Sequence, residues 1–194
     1  MDSLFIRRLT IIAVIAACLP SYGDEAIKAL HERRKDAFFT YTGDVLQIAL
    51  PASGLGYSLI IKDFDGAKKW GWSVGTAIVL AEGLKYAIGR PRPYQEPGEH
   101  GRSFPSGHTT AAFAGAAYWQ RRYGWEVGIP AYMLAAATGY SRVWSGNHYW
   151  SDVIAGAAIG TALPYIFTKP YEKVQINIGA EPDGGGNINL IFRF

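Results

Sequence analysis

Five apolar stretches, residues 45–61, 70–88, 106–120, 127–140 and 151–168, constrain this chain more than any other feature. Four hold no Asp, Glu, Lys or Arg apart from Asp152 at an entrance; the second carries Glu82 and Lys85 near its end. Such stretches read as helices, either buried in a soluble all-helical domain or embedded in a bilayer. A crossing takes about 20 residues, with a range of about 17–25, so they are short for the second role. The aromatic pattern nevertheless favours the membrane. Trp70, Trp72, Trp119, Trp125, Trp144 and Trp150 all fall at segment ends or in connectors, as in an interfacial belt. The connectors 62–69 (KDFDGAKK) and 121–126 (RRYGWE) are short and basic, as cytoplasmic loops are. With those two inside, residues 89–105 and 141–150 lie together on the outer side.

The flanks differ in kind. Residues 1–23 combine a positive start (MDSLFIRR), an apolar run (LTIIAVIAACLP) and a small-residue site (SYG), which reads as a signal peptide. Two alternatives stay open: a retained anchor, or lipidation at Cys18, the only cysteine. Residues 24–43 are charged and predict an amphipathic surface helix, on which His31 is a solvated position. Residues 44–168 form the helical domain, and 169–194 a tail in which VQINIGA and NINLIFRF alternate around PDGGG, predicting a small β-hairpin. The expected fold is therefore all-α, a membrane-embedded bundle of about five apolar helices with that hairpin appended. A net charge of +3 over 194 residues is too mild for a nucleic-acid binder, so the basic residues matter by position.

Three patches carry chemistry. KYAIGRPRP brings Lys85, Arg90 and Arg92 to a helix end, although basic residues there also complement the helix dipole. FPSGHTTAAF places Ser106, Gly107 and His108 at a helix start, where free backbone N–H groups favour anions; a capping serine beside a chance histidine reads the same way. SRVWSGNHYWSD sets His148 four residues before Asp152, behind Ser141 and Arg142. If the helix has begun by then, both lie on one face. The carboxylate can then fix the imidazole tautomer and leave the other nitrogen nucleophilic. Half a metal site is the competing reading, but the ligands are too few. All three patches fall on the outer side. Together they supply what phosphoryl transfer needs, charge stabilisation and positioning.

In this order and spacing the patches resemble the signature of the type 2 phosphatidic acid phosphatase (PAP2) superfamily: K-x6-R-P, P-S-G-H, then S-R-x5-H-x3-D. Here these read Lys85…Arg92-Pro93, Pro105-Ser106-Gly107-His108 and Ser141-Arg142…His148…Asp152, within about residues 44–168. The spacing gives the motif role to Arg92 and leaves Arg90 as an extra cation. The resemblance implies catalysis by His148 as nucleophile, Asp152 as its orienting acid and His108 as general acid and base. It implies phosphate binding by Lys85, Arg92, Ser106, Gly107 and Arg142, with no metal and no cofactor. His100, in the same loop, reads as solvated. The implied setting is the bacterial inner membrane, multi-pass, with the site facing the periplasm. The implied substrate is a phospholipid, lipid A phosphate or polyprenyl phosphate: undecaprenyl diphosphate, phosphatidylglycerol phosphate and phosphatidic acid are candidates. A soluble periplasmic acid phosphatase and a lipid-to-lipid phosphotransferase share the same residues and stay open, as does oligomeric state.

Overall fold

Small residues fill the interior of this protein and large apolar ones line its outside. The computed structural model describes residues 37–93, 101–171, 175–180 and 186–191. The expected leader at 1–23, residues 24–36 of the expected surface helix with His31, His100 and residues 182–185 of the PDGGG turn lie outside the described residues. Six α-helices follow in order: α1 (Ala37–Ile60), α2 (Phe64–Trp70), α3 (Thr76–Ile88), α4 (Gly107–Tyr123), α5 (Trp125–Trp144) and α6 (Trp150–Phe167). A single π-helical turn, Gly71–Gly75, joins α2 to α3. Beyond α6, β1 (Gln175–Ala180) and β2 (Gly186–Ile191) pair antiparallel, Gln175 opposite Ile191.

Helix α4 is the centre, packed against α1, α5 and α6. Its sequence, GHTTAAFAGAAYW, explains why. Buried Ala112, Ala114, Ala116 and Ala117 leave the helix slim enough for neighbours to approach its backbone. On α6 the closest approach is made by Gly156 and Gly160, four residues apart. A Cβ at Gly156 would stand 2.6 Å from the Ser106 carbonyl oxygen, and one at Gly160 would collide with that of Thr110. This is the small-residue packing by which helices associate where apolar surface alone gives them no reason to. On the far side, Ile48, Ile60, Val79, Ile129, Met133 and Ile154 point outward and are exposed. So many exposed large apolar side chains around a core rich in Ala, Gly, Ser and Thr suit lipid better than water.

Several boundaries differ from the sequence reading. No break separates a surface helix ending at 43 from a first apolar segment, because α1 runs unbroken from Ala37 to Ile60. Gly43 lies inside it at a close crossing, where a Cβ would collide with the Ser141 hydroxyl. The connector 62–69 is mostly helix α2, started by Asp63, whose carboxylate accepts from the Gly66 N–H at 2.9 Å, and favoured at its end by Lys68 and Lys69. The connector 121–126 shrinks to Gly124: Arg121, Arg122 and Tyr123 continue α4 until Gly124 turns the chain at φ 100°. Among the described helices, Trp150–Phe167 is long and apolar enough by itself to cross a membrane. Helix α4 has 17 residues and ends in Arg121 and Arg122, α1 carries Asp44, and α5 carries Glu126 and Arg142.

Candidate active site

The antiparallel order brings the end of α3, the start of α4, the end of α5 and the start of α6 to one end of the bundle. All three sequence patches therefore meet there. Ser106 is the N-cap of α4: its hydroxyl accepts from the Thr109 hydroxyl at 2.9 Å and from the Thr109 N–H at 3.4 Å. Its own N–H donates to the Asp152 carbonyl at 3.0 Å, which ties the second patch to the third. Ser106 is fully buried, so capping is the role its geometry displays. Gly107 and His108 follow in the first turn, where backbone N–H groups have no intrahelical acceptor. Lys85 Nζ fills the space above Gly107, 2.7 Å from where a Cβ would stand, and pairs with Glu82 at 2.5 Å.

His148 sits in the short turn between α5 and α6 and is almost fully buried. Its Nδ1 lies 2.7 Å from the Ser103 carbonyl oxygen. A carbonyl only accepts, so Nδ1 carries the hydrogen, and in the neutral ring Nε2 holds the lone pair. Asp152 Oδ2 is 3.7 Å from Nδ1, beyond hydrogen-bond reach. This corrects the expected direct bond from imidazole to carboxylate. The physical reason is that α6 begins at Trp150, so His148 precedes the helix. The carboxylate is already committed: Oδ2 accepts from the Tyr149 N–H at 2.9 Å and Oδ1 from Arg90 Nη1 at 2.8 Å. Asp152 therefore acts on His148 through charge, while the Ser103 carbonyl sets the tautomer. Burial, the largest influence, pushes the His148 pKa below the ordinary imidazole value, and the Arg92 charge adds to it. Asp152 and the Ser103 carbonyl oppose that shift.

Arg142 is part of the last turn of α5, which runs to Trp144, and not of a loop folded over the site. Its Nη1 donates to Asp44 Oδ1 at 2.6 Å, its Nη2 to the Thr40 carbonyl at 2.6 Å, and its Nε to Ser141 Oγ at 3.0 Å. Asp44 Oδ1 also accepts from His108 Nε2 at 3.0 Å. One anionic oxygen is thus held between Arg142 and His108, the arrangement a phosphoryl oxygen would require. His108 and His148 are close enough to feel each other's charge. Asp44 and Ser103 are the site groups that sequence reasoning missed; Arg90, read there as an extra cation, is bonded to Asp152.

A cavity of about 460 Å³ opens beside these groups, with Lys85, Glu82, Gly107 and His108 at its polar end. Its remaining walls are mainly apolar: Ile48, Pro51, Leu55, Trp70, Val74 and Ile78 from α1, α2, the π-helical turn and α3.

The PAP2 superfamily matches residues 67–175, more than half the chain and all three patches. The chain belongs to the PAP2 superfamily. It is 32% identical over 142 residues to the lipid A 4'-phosphatase of Helicobacter pylori, covering 67% of this chain and 69% of that one. It is 32% identical over 164 residues to a lipid A 1-phosphatase of Porphyromonas gingivalis; the match covers 76% of this chain but spans only 35% of that relative's length. Among solved structures it resembles LpxE of Aquifex aeolicus, with a TM-score of 0.60 and 26% identity over 73% of this chain and 92% of that one. The family match ends at residue 175, where β1 begins, so the helices carry the shared fold.

Proposed function

We propose that this protein is a phosphatase that hydrolyses a lipid phosphate or diphosphate through a covalent phosphohistidine, with lysine and arginine supplying the positive charge. The observation that carries the lipid assignment is the cavity. A phosphate at Lys85 and His108 lies at the mouth of an apolar furrow that reaches down to Trp70, so a chain attached to it can stay out of water. The similarity to lipid A phosphatases supports the same class. Lipid A, undecaprenyl diphosphate, phosphatidylglycerol phosphate and phosphatidic acid all fit this chemistry.

In the proposed reaction His148 Nε2 attacks phosphorus, and the bond from phosphorus to the leaving oxygen breaks. His108 gives that oxygen a proton. Water then attacks the phosphohistidine, the P–N bond breaks, His108 takes the water's proton and inorganic phosphate departs. Arg142, Arg92, Lys85 and the first-turn N–H groups of α4 hold the phosphoryl oxygens as charge builds. Ser106 supports this by capping the helix that presents those groups.

The exposed apolar faces support residence in a membrane. Aromatic clusters at both ends of the bundle, Tyr140–Trp144–Trp150 near the site and Trp119–Tyr123–Tyr57 at the other, match its two interfaces. The basic residues Lys68, Lys69, Arg121 and Arg122 gather at the end away from the site. If these short basic connectors are cytoplasmic, the site faces the periplasm of a bacterial inner membrane.

The pH dependence follows from His148. A nucleophile must be neutral, so the acid limb reports His148: turnover fades as pH falls through its pKa. Because that pKa is lowered, the acid limb of kcat/KM is expected below the ordinary imidazole value of about 6.5. A pH–rate profile in detergent checks this; a limb at or above that value contradicts it. The substrate class is tested by phosphate release from a panel of the four lipids, with para-nitrophenyl phosphate as a soluble control. Higher kcat/KM on at least one lipid than on the control is the expected result. Equal or better turnover of the control would point instead to a phosphatase of small monoesters.

A further inference from the structure

Arg90 stands two residues before the first-motif arginine and has no part in the motif. Its Nη1 donates to Asp152 Oδ1 at 2.8 Å and to Ser151 Oγ at 2.7 Å, which uses both hydrogens of that nitrogen. Its guanidinium lies over the Tyr149 ring, 4.1 Å from the centroid. Asp152 is fully buried, so its carboxylate needs hydrogen-bonded and charged partners to offset the loss of water. The backbone of Arg90 works on the same histidine from the other side. Its carbonyl accepts from the Ser103 N–H at 2.8 Å, and the Ser103 carbonyl is what receives His148 Nδ1–H at 2.7 Å. The Ser103 hydroxyl adds a bond to the Pro91 carbonyl at 2.9 Å. One residue therefore grips both the carboxylate beside His148 and the loop that fixes its tautomer.

We propose that Arg90 is a positioning residue, whose side chain holds the Asp152 carboxylate in place beside His148 while its backbone braces the Ser103 carbonyl. The proposal rests on His148 being the nucleophile. Arg90 differs from the phosphate-binding cations in where it points: its charge faces the buried carboxylate, whereas Arg92, two residues on, is exposed at the site.

Removing the side-chain charge has a calculable sign. Without Arg90, the buried Asp152 charge is unbalanced. The carboxylate then faces His148 without its counter-charge and favours the protonated imidazole, so the acid limb moves to higher pH. Among the described residues, Arg92 from the same loop and His108 on α4 also act on His148, and Arg142 on α5 and Asp44 on α1 act on His108; the substitution leaves all four in place.

The experiment compares Arg90→Gln and Arg90→Lys in the full chain, in detergent micelles, with phosphatidic acid and with para-nitrophenyl phosphate. For Arg90→Gln, kcat is expected to fall by about 10²-fold with KM within about twofold, because misplacing a reacting group by about 1 Å has that effect. Its acid limb should move up, and Arg90→Lys should recover part of both. Binding of orthovanadate, followed by thermal shift across pH, gives the same readout without turnover. A raised KM with kcat intact would overturn the proposal by making Arg90 a phosphate ligand. A lost kcat with an unmoved acid limb and no rescue by lysine would reduce it to fold support, and wild-type behaviour in Arg90→Gln would also end it. His148→Ala separates the two claims. If that variant still turns over, the nucleophile assignment fails; if it is inactive while Arg90→Gln behaves as wild type, only the role of Arg90 fails.

Discussion

Replacing His148 with alanine is expected to lower kcat for phosphate release by about 10⁴-fold or more, the scale on which enzymes lose turnover when their nucleophile is removed. The loss should reach every substrate equally, because the P–N bond precedes each product. Replacing His108 should cost less, about 10²–10⁴-fold, the usual contribution of a general acid–base group. It should also depend on the leaving group: a lipid alkoxide needs the proton that His108 gives, and para-nitrophenolate departs without it. Steady-state rates for the two variants on a lipid and on para-nitrophenyl phosphate check this. Full activity of His148→Ala on any lipid would remove the histidine from the nucleophile's role.

The second large effect lies at the opposite end of the bundle and concerns stability. Asp63 and Arg122 are both buried and bonded twice, Nη2 to Oδ1 at 2.5 Å and Nε to Oδ2 at 2.7 Å. The Tyr123 hydroxyl donates to the same carboxylate at 3.1 Å, and Arg122 Nη1 donates to the Lys169 carbonyl at 3.0 Å. The pair thus fastens the turn between α1 and α2, the end of α4 and the chain leaving α6. Arg122→Ala would leave a buried carboxylate without its partner and is expected to destabilise the protein by about 3–5 kcal/mol. Replacing both residues with apolar ones of similar size should recover much of that, since the penalty comes from the orphaned charge. Denaturation in detergent measures both. Folded Arg122→Ala should keep its turnover number, the opposite of what His148→Ala does.

The same pair has a pH signature. Burial alone would raise the Asp63 pKa, but the hydrogen bonds from Arg122 and the Gly66 N–H, with the Arg122 charge, outweigh it and hold it below the ordinary value. Its contribution to stability is therefore complete above the unfolded carboxyl pKa of about 4 and is lost as pH falls through the lowered folded value. Acid denaturation should begin in that range, and Asp63→Asn should flatten the slope there.

The sequence made the helices and the motif residues legible because both are written at short range. Apolar runs mark the helices, and Lys85, His108, Arg142, His148 and Asp152 stand at fixed offsets within single patches. What it hid depends on contacts between distant residues. Asp44 reaches Arg142 across a separation of 98 residues, Arg90 reaches Asp152 across 62, and His148 finds the Ser103 carbonyl across 45. The last is a backbone group, for which no side chain could have signalled. Asp152 shows the same limit: its offset from His148 suggested a hydrogen bond, and the helix start at Trp150 turned that into a charge contact at 3.7 Å. The Asp63–Arg122 pair was invisible for the same reason, since each looked like an ordinary charge in a loop.

The central claim, a covalent bond between phosphorus and His148, is tested most directly in the His108→Ala variant with para-nitrophenyl phosphate. There the leaving group needs no proton, but water has lost its base, so the intermediate should accumulate. The expected result is a burst of para-nitrophenolate close to one per protein, with a phosphoryl group on the peptide containing His148 that survives alkali and is lost in acid. No burst, or a phosphoryl group that persists when His148 is also replaced, would contradict the account.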